Sequence, residues 1–208
     1  MNTASTNPNT LQSGVLGGIS SSKSLKAFGE TIWKTKTAKV NAELFTLTYG
    51  SIVSQLCSDY QRDFNKVNNQ LFAMGRSIGV RLIEDFIARS ALPRCDNMVQ
   101  TSEVISKVAF KVFLNITPHV TNWSSAKDAF SLILDENPLS DFVELPMDAM
   151  KELWYSNILC GVLKGALEMV QLDCQIWFVS DVLRGDAHTE MKVKLNRILK
   201  DEIPAGED

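Results

Sequence analysis

The sequence predicts an α+β domain in two layers, in which an antiparallel four-stranded sheet made of two hairpins is covered by about four to five helices. Two observations predict this class. Apolar residues recur at the helical period in the first half of the chain, and short segments that alternate between apolar and polar residues follow in the second half. Because hairpins make neighbouring strands antiparallel, helices grouped apart from them cover one face of the sheet.

Helical periodicity is first visible in two segments near the start of the chain. Residues 24–39 form a short amphipathic segment in which Leu25 and Ile32 share one face. After it, Asn41 can cap a helix whose apolar residues recur at the helical period over residues 44–60. We therefore expect a short docked helix followed by a longer helix with a single buried stripe.

A second long helix is predicted from Phe64 to Ser90, because apolar residues keep the helical period until Pro93 prevents its continuation. It contains Gly75 and Gly79, each of which costs up to about 1 kcal/mol of helix propensity. Two glycines one turn apart indicate the close approach of another helix, or a surface that must stay flat.

A third helix is predicted to begin at a cap formed by Thr101 or Ser102 and to run through Leu114. Pro118 follows its end, as expected for a residue that cannot continue a helix. This helix completes the group that precedes the strands.

Two hairpins and one further helix complete the predicted order. The first hairpin pairs Ala129–Leu134 with residues 141–145. Residues 152–172 form a helix that is apolar on more than one face, as expected where neighbours pack on both sides. The second hairpin pairs the alternating residues 174–178 with the alternating residues 190–195.

Composition divides the chain into three parts. Residues 1–23 are rich in Ser, Thr, Asn and Gly without a sustained period, so we expect a disordered leader. Residues 24–200 form a single domain that is long enough to bury a substantial core. Residues 201–208 form a short acidic tail.

Charge and hydropathy exclude several classes of function. The formal net charge of −3 argues against a nucleic acid partner, whose phosphates require clustered Lys and Arg. The N-terminus lacks a secretory signal pattern, and no run of 18 apolar residues is present. We expect a cytosolic protein, with membrane contact limited to a peripheral one through gathered basic residues.

The cysteines and histidines predict no disulfide, metal site or catalytic centre. Cys57, Cys160 and Cys174 lie in apolar periodic segments, as small core residues do. His119 and His188 lie in loops away from any neighbouring Ser or Cys. No hydrolase, phosphate-binding or zinc motif is present, so we assign neither a catalytic residue nor a metal.

Cys95 differs because it lies in the loop after the second long helix. The adjacent Arg94 would lower the pKa of its thiol, whereas Asp96 would raise it. An ordinary loop thiol and a modified or redox-reactive one both stay open. A long acyl chain on this cysteine would gain on the order of 10 kcal/mol in apolar surroundings, so it would enter a membrane or a tunnel in its own domain.

Ala109 is a small residue among the bulky Val108, Phe110 and Phe113 of the third helix. A small side chain there can leave a tunnel open for an acyl chain. An ordinary packing role is the alternative.

The chain resembles the Bet-three family of subunits of the TRAPP (transport protein particle) complex, from about residue 25 to its last residue. Long blocks in the same order carry the resemblance. They are ELFTLTYG at 43–50, IGVRLIEDF at 78–86, Arg94-Cys95, ITP at 116–118 through NW at 122–123, FSLIL at 130–134, NPL at 137–139, DFVELP at 141–146, YSNILCGVL at 155–163, GALEMVQ at 165–171 and IPAGED at 203–208.

The resemblance implies an α+β domain whose helices form dimer interfaces and whose interior holds a palmitoyl or similar chain on the cysteine that matches Cys95. Arg94 belongs to that site in the family pattern. The implied partners are other small TRAPP subunits in heterodimers, with a homodimer also allowed, a Rab one-type small GTPase, and a vesicle coat component. No other cofactor is implied.

The resemblance also implies a role without catalysis by the chain itself. Family members contribute to guanine-nucleotide exchange on the Rab GTPase within a complex that tethers vesicles in transport from the endoplasmic reticulum to the Golgi. Their place is the cytoplasm, peripheral on cis-Golgi and vesicle membranes. The tail that matches Ile203, Pro204, Ala205, Gly206, Glu207 and Asp208 reaches toward the nucleotide pocket of the GTPase.

Two other functions compete with this one. A small domain with an internal apolar tunnel could bind or sense a lipophilic ligand reversibly. A thiol enzyme could use Cys95 together with a histidine. Covalent lipid mass separates the first alternative from the family function, and loss of turnover on removal of Cys95 would identify the second.

Overall fold

The computed structural model describes residues 21 to 199. Most of the predicted leader and all of the predicted acidic tail lie outside these residues. A π-helical turn, Ile105–Ala109, joins the fourth and fifth helices, and a 3₁₀ turn, Val182–Arg184, precedes the last strand. The α-helices are α1 Ser22–Thr35, α2 Ala42–Asp59, α3 Phe64–Ser90, α4 Met98–Val104, α5 Phe110–Leu114, α6 Ala149–Glu152 and α7 Ile158–Met169.

The predicted fold class is confirmed. The strands are β1 His119–Thr121, β2 Ala129–Leu134, β3 Leu172–Ser180 and β4 Thr189–Ile198. They form one antiparallel sheet in the order β1-β2-β4-β3, with hairpins between β1 and β2 and between β3 and β4. The last strand therefore lies between two earlier ones.

Side-chain caps begin the two long helices, and a left-handed residue ends α3. The amide oxygen of Asn41 accepts a hydrogen bond from the backbone N–H of Leu44 at 2.8 Å, which confirms the predicted cap of α2. Asp63 caps α3 by accepting from the N–H of Lys66 at 3.2 Å. The left-handed conformation of Ala91, with φ +50°, ends α3 just before Pro93, so its predicted bounds are confirmed.

The predicted cap of the third helix is wrong. The cap of helix α4 lies four to five residues earlier, where the side chain of Asn97 accepts from the N–H of Gln100 at 2.9 Å. Thr101 and Ser102 are buried inside the helix, and their hydroxyl groups donate to backbone carbonyls of the preceding turn. Both side chains were therefore unavailable as caps.

The predicted strand at residues 141–145 is also wrong. Phe142 has φ +63° and is 75% exposed, and a left-handed phenylalanine cannot continue a strand. The partner of β2 in the first hairpin is instead β1, which pairs His119 with Ile133 and Thr121 with Ser131. Three residues are too few to display an alternating pattern, so β1 was missed.

The last predicted helix begins later than expected. Asn68 of α3 holds residues 152–157 in a turn: its side chain donates to the carbonyl of Glu152 at 2.8 Å and accepts from the N–H of Trp154 at 2.8 Å. Its backbone carbonyl accepts from the side chain of Asn157 at 2.9 Å. Helix α7 therefore starts at Ile158, and it ends before Leu172, which belongs to β3.

Helix α7 lies between α3 and the sheet, which explains why it is apolar on more than one face. Four glycines let the two helices approach. A Cβ atom at Gly79 would lie 2.1 Å from the carbonyl oxygen of Val162, and one at Gly165 would lie 2.2 Å from that of Arg76. The close approach predicted from Gly75 and Gly79 is confirmed.

The buried apolar residues form two separate clusters. The main cluster fills the space between the sheet and α2, α3, α4 and α7. The second cluster lies where α1, the end of α3 and the α4–α5 segment meet. Its buried members are Leu25, Ile32, Phe86, Val108 and Val112, and Phe28, Ile83, Leu92, Val104, Ala109 and Phe113 pack around them.

Candidate acylation site and surrounding surfaces

Cys95 lies half-buried in the loop between α3 and α4, immediately before the cap of α4. Burial raises the pKa of its thiol, a hydrogen bond with the hydroxyl of Thr101 opposes that rise, and the negative charge of Asp96 adds to it. The sequence did not identify Thr101 as a neighbour of Cys95. Its position in the first turn of the helix that follows is the signal that could have found it.

Arg94 is exposed beside Cys95. We expected its charge to lower the pKa of the thiol, but burial, which acts in the opposite direction, has the largest effect. The thiol is therefore predominantly protonated at neutral pH, and a role of Arg94 at this site stays a prediction.

A stripe of residues on the α4–α5 segment leads from Cys95 into the second cluster. Thr101 contacts Cys95, and Val104, Val108 and Val112 follow it at helical spacing. Leu92, three residues before Cys95, packs against the same cluster. This stripe thus leads from Cys95 to the apolar interior of the second cluster.

Ala109 is half-buried and packs against the second cluster. It is the last residue of the π-helical turn Ile105–Ala109. Such turns are rare and recur at functional sites, because the extra residue changes which side chains face a neighbouring element. The structure thus places Ala109 at the second cluster, to which the stripe from Thr101 also leads, while Arg94 is exposed.

The predicted tail at residues 203–208 lies outside the described residues. The residues at the end of β4, which lead towards it, make several polar contacts. The N–H of Leu199 donates to the carbonyl of Gln171 at 2.8 Å. Asp173 on β3 binds Lys164 of α7 at 2.6 Å and Arg197 of β4 at 3.2 Å. An ion pair thus joins the end of β4 to β3, and Asp173 of β3 in turn binds α7.

The remaining cysteines and both histidines have structural or surface positions. Cys160 and Cys174 are buried, and burial raises the pKa of Cys174 to about 11. His119 lies 2.9 Å from the exposed carboxylate of Asp135, and His188 lies 3.4 Å from Glu190. Among residues 21 to 199, no three side chains of His, Cys, Asp or Glu meet in a group that could bind a metal ion.

Helix α2 presents apolar side chains in two directions. Thr46, Tyr49 and Val53 face the core, whereas Leu44 and Leu47 are 65% and 57% exposed. The single stripe expected from the sequence is therefore wrong: its first members lie on the outer face. We call the exposed residues Leu44, Phe45, Leu47 and Ile52 the α2 surface.

A shallow groove of about 410 Å³ lies beside the α2 surface. One wall is α2, with Leu47, Gly50 and Ser51, and the other is formed by residues 141–143. The exposed Phe142 stands at this wall in its left-handed conformation. Strained non-glycine residues of this kind persist where a local shape is needed, so the groove marks a candidate contact surface.

In the part of the chain that the structure covers, none of the helices combines the length and the apolar character that crossing a bilayer demands.

Comparison with known proteins identifies a matching family and several similar proteins. The family model described as transport protein particle (TRAPP) component matches residues 45–194. The chain is 79% identical over 187 residues to trafficking protein particle complex subunit BET3 of Saccharomyces cerevisiae, covering 90% of this chain and 97% of the relative. It is 57% identical over 180 residues to transport protein particle subunit bet3 of Schizosaccharomyces pombe, covering 86% and 97%.

A solved structure is also similar. The crystal structure of a trafficking protein particle complex subunit 3 from Naegleria fowleri, covalently bound to palmitic acid, has a TM-score of 0.75 and 45% sequence identity, and the match covers 79% of this chain and 100% of that one. Fold, sequence blocks and family model therefore agree, and the chain belongs to the TRAPP component family, in its Bet-three group.

Proposed function

We propose that this chain is a non-catalytic core subunit of a TRAPP vesicle-tethering complex and that it carries a palmitoyl or similar chain as a thioester on Cys95. The observation that carries the proposal is the stripe from Cys95 through Thr101 to Val108, which ends in the second cluster. The similar Naegleria fowleri protein, covalently bound to palmitic acid, supports it. Burial of the chain among these residues would stabilise the acylated form.

The mass of the intact, denatured protein tests the acylation. We expect an added long-chain acyl mass that hydroxylamine removes, since hydroxylamine cleaves thioesters. The Cys95→Ser variant should lack this mass, while the matched variant Cys57→Ser, altered at another half-buried thiol, should keep it. An unmodified mass accompanied by an extractable lipid would instead support the reversible ligand-binding alternative.

The proposed partners are other small TRAPP subunits, bound through the α2 surface as a helical dimer interface. Four exposed apolar residues on one helix, next to a groove with an exposed phenylalanine, form the kind of patch that marks protein interfaces. A homodimer can use the same surface when partner subunits are absent.

Substitution of one exposed residue tests the interface. Leu47→Lys places a charge at the α2 surface and should abolish co-purification of partner subunits at equal stoichiometry, because an unpaired charge is costly in an apolar interface. Val182→Lys, at a site of similar exposure outside α2, is the matched control and should leave co-purification unchanged. Retention of partners by Leu47→Lys would place the interface elsewhere.

The finer role that we propose is a contribution to nucleotide exchange on a Rab one-type GTPase in transport from the endoplasmic reticulum to the Golgi. The acidic tail at residues 203–208 would oppose phosphate or magnesium contacts in the nucleotide pocket by like-charge repulsion. The ion pair of Arg197 and the hydrogen bond of Leu199 support this role, because they fix the position of the chain from which the tail extends. Peripheral contact with Golgi and vesicle membranes, and with a vesicle coat component, belongs to the same proposal.

A further inference from the structure

Helix α1 forms one complete side of the second cluster. It contributes Leu25 and Ile32, which are 7% and 2% exposed, and the half-buried Phe28. The other sides are the end of α3 and the α4–α5 segment, which includes Ala109. A chain that enters this space from Cys95 is therefore enclosed from solvent by α1.

The contact between α1 and the π-helical turn depends on one glycine. A Cβ atom at Gly29 would lie 2.2 Å from the carbonyl oxygen of Lys107, which belongs to the turn. Because that atom is backbone, the clash could be relieved only by moving α1 or the turn. The absence of a side chain at Gly29 thus allows α1 to pack closely on the α4–α5 segment, and we call this contact the Gly29 seat.

The two ends of α1 are held by polar contacts. At the C-terminal end, the ammonium group of Lys36 donates to the carbonyl of Arg89 at 3.1 Å, and Nη1 of Arg89 donates to the carbonyl of Lys36 at 2.7 Å. Asp85 fixes Arg89 by an ion pair of 2.6 Å. At the other end, Lys107 contacts Ser22. We call the reciprocal pair of bonds the Lys36–Arg89 clasp.

Helix α1 is separate from the main cluster and from the sheet. None of its residues belongs to the main cluster, and no described strand pairs with it. The connection to α2 consists of residues 36–41, which are largely exposed and non-helical. A segment that has no part in the main cluster and that has an exposed connection to the rest of the chain can open locally before the whole domain unfolds.

We propose that α1 is a hinged cover over the second cluster and that a long acyl chain enters or leaves the Cys95 site only while α1 is lifted. The Gly29 seat and the Lys36–Arg89 clasp set how often it lifts. This proposal rests on the proposed acylation of Cys95 for its biological purpose, but the cover itself is a property of the unmodified protein.

Gly29→Ala tests the seat in the full chain carrying Cys95→Ser, which cannot be acylated at that position. Alanine favours a helix more than glycine does, so any loosening must come from the clash with Lys107. We expect amide hydrogen exchange in α1 to accelerate by about tenfold or more, while exchange in α7 stays unchanged. Ala27→Gly, at an exposed position of α1, is the control for altered helix propensity.

Access to Cys95 is measured with two thiol reagents on protein freed of acyl groups by hydroxylamine. The thiolate attacks methyl or decyl methanethiosulfonate, forms a mixed disulfide and releases methanesulfinate, and peptide mass spectrometry reports the reaction at Cys95. Only the decyl chain needs the covered space. Gly29→Ala and Arg89→Ala should each raise the rate of the decyl reagent relative to the methyl reagent several-fold.

Two results would overturn the cover. One is α1 exchange in Gly29→Ala equal to that of the parent chain. The other is a decyl-to-methyl rate ratio that stays the same in Gly29→Ala and Arg89→Ala while α1 exchange is faster. If the cellular protein carries no acyl mass but both tests succeed, the proposed acylation fails and the cover stands.

Discussion

A Cβ atom on Gly75 would lie 2.1 Å from the carbonyl oxygen of Ile158, the first residue of α7. The relationship is reciprocal, because a Cβ atom on Gly161 would lie 2.1 Å from the carbonyl oxygen of Phe72 in α3. Each helix therefore places its backbone directly against the other. Since α7 also packs on β3, this contact sets the distance between α3 and the sheet.

Gly75→Ala should destabilise the domain by about 1–3 kcal/mol, because the added methyl group overpacks a backbone contact that cannot rotate away. The improved helix propensity of alanine, up to about 1 kcal/mol, acts in the opposite direction. Urea unfolding followed by circular dichroism measures the difference. Ser77→Ala, on the exposed face of α3, is the control and should stay within about 0.5 kcal/mol of the parent protein.

Ala109→Leu should reduce the acylated fraction of the purified protein several-fold. The larger side chain would occupy space in the second cluster that we assign to the acyl chain. Intact mass spectrometry gives the fraction directly, and Ala73→Leu, at an exposed position of α3, should leave it unchanged. Normal lipid occupancy in Ala109→Leu would remove this residue from the site.

Deletion of residues 203–208 should slow nucleotide exchange by the assembled complex and leave the fold intact. The described residues end at Leu199, whose N–H donates to the carbonyl of Gln171, so the deletion leaves the contacts among the described residues in place. Release of a fluorescent nucleotide from the GTPase gives the rate, and thermal unfolding gives the stability. Exchange kinetics that match those of the full chain would retire the tail from this role.

Asp181 should make the stability depend on pH. It is 1% exposed, one carboxylate oxygen accepts from the N–H of Leu183 at 3.1 Å, and the other has no hydrogen-bond partner among the described residues. Burial raises the pKa of this carboxyl above its ordinary value of 3.8. A raised folded-state pKa contributes stability that is complete below that ordinary value and is lost as the pH rises through the folded pKa.

Asp181→Asn removes this titration. We expect the variant to exceed the parent protein in free energy of unfolding by about 1 kcal/mol at pH 7, with a difference that narrows as the pH falls toward 4. Urea unfolding at a series of pH values measures it. Asp141→Asn, at an exposed position, is the control, and an Asp181→Asn difference that grows at low pH would contradict the assigned direction.

The sequence was informative where a periodic pattern or a cap acts locally. Helix α3 kept its predicted bounds, since its stripe and Pro93 act within the segment, and β2 was found because it is a short, β-prone run beside a turn-forming cluster. Prediction failed where distant contacts decide. Asn68, more than eighty residues away in sequence, breaks the predicted helix at residues 152–157, and no local pattern reveals that bond.

The candidate site was predictable in its residues and not in its surroundings. Cys95 and Ala109 could be singled out by loop position and by side-chain size. The second cluster that relates them is assembled from α1, α3 and the α4–α5 segment, and such an assembly depends on tertiary packing. For the same reason the sequence could not indicate that burial has the largest effect on the pKa of the Cys95 thiol.

The position of β4 has a consequence for how the chain acquires its shape during synthesis. Val193 of β4 pairs with Phe130 of β2 on one side and with Ile176 of β3 on the other. Neither earlier strand can form these pairs before β4 has been synthesised. Until residues 189–198 leave the ribosome, both earlier strands have an unpaired edge that can form hydrogen bonds with other nascent chains. The final step in forming the sheet is then the insertion of β4 between β2 and β3. A chain truncated before Thr189 should therefore be recognised by chaperones and should not accumulate in soluble form.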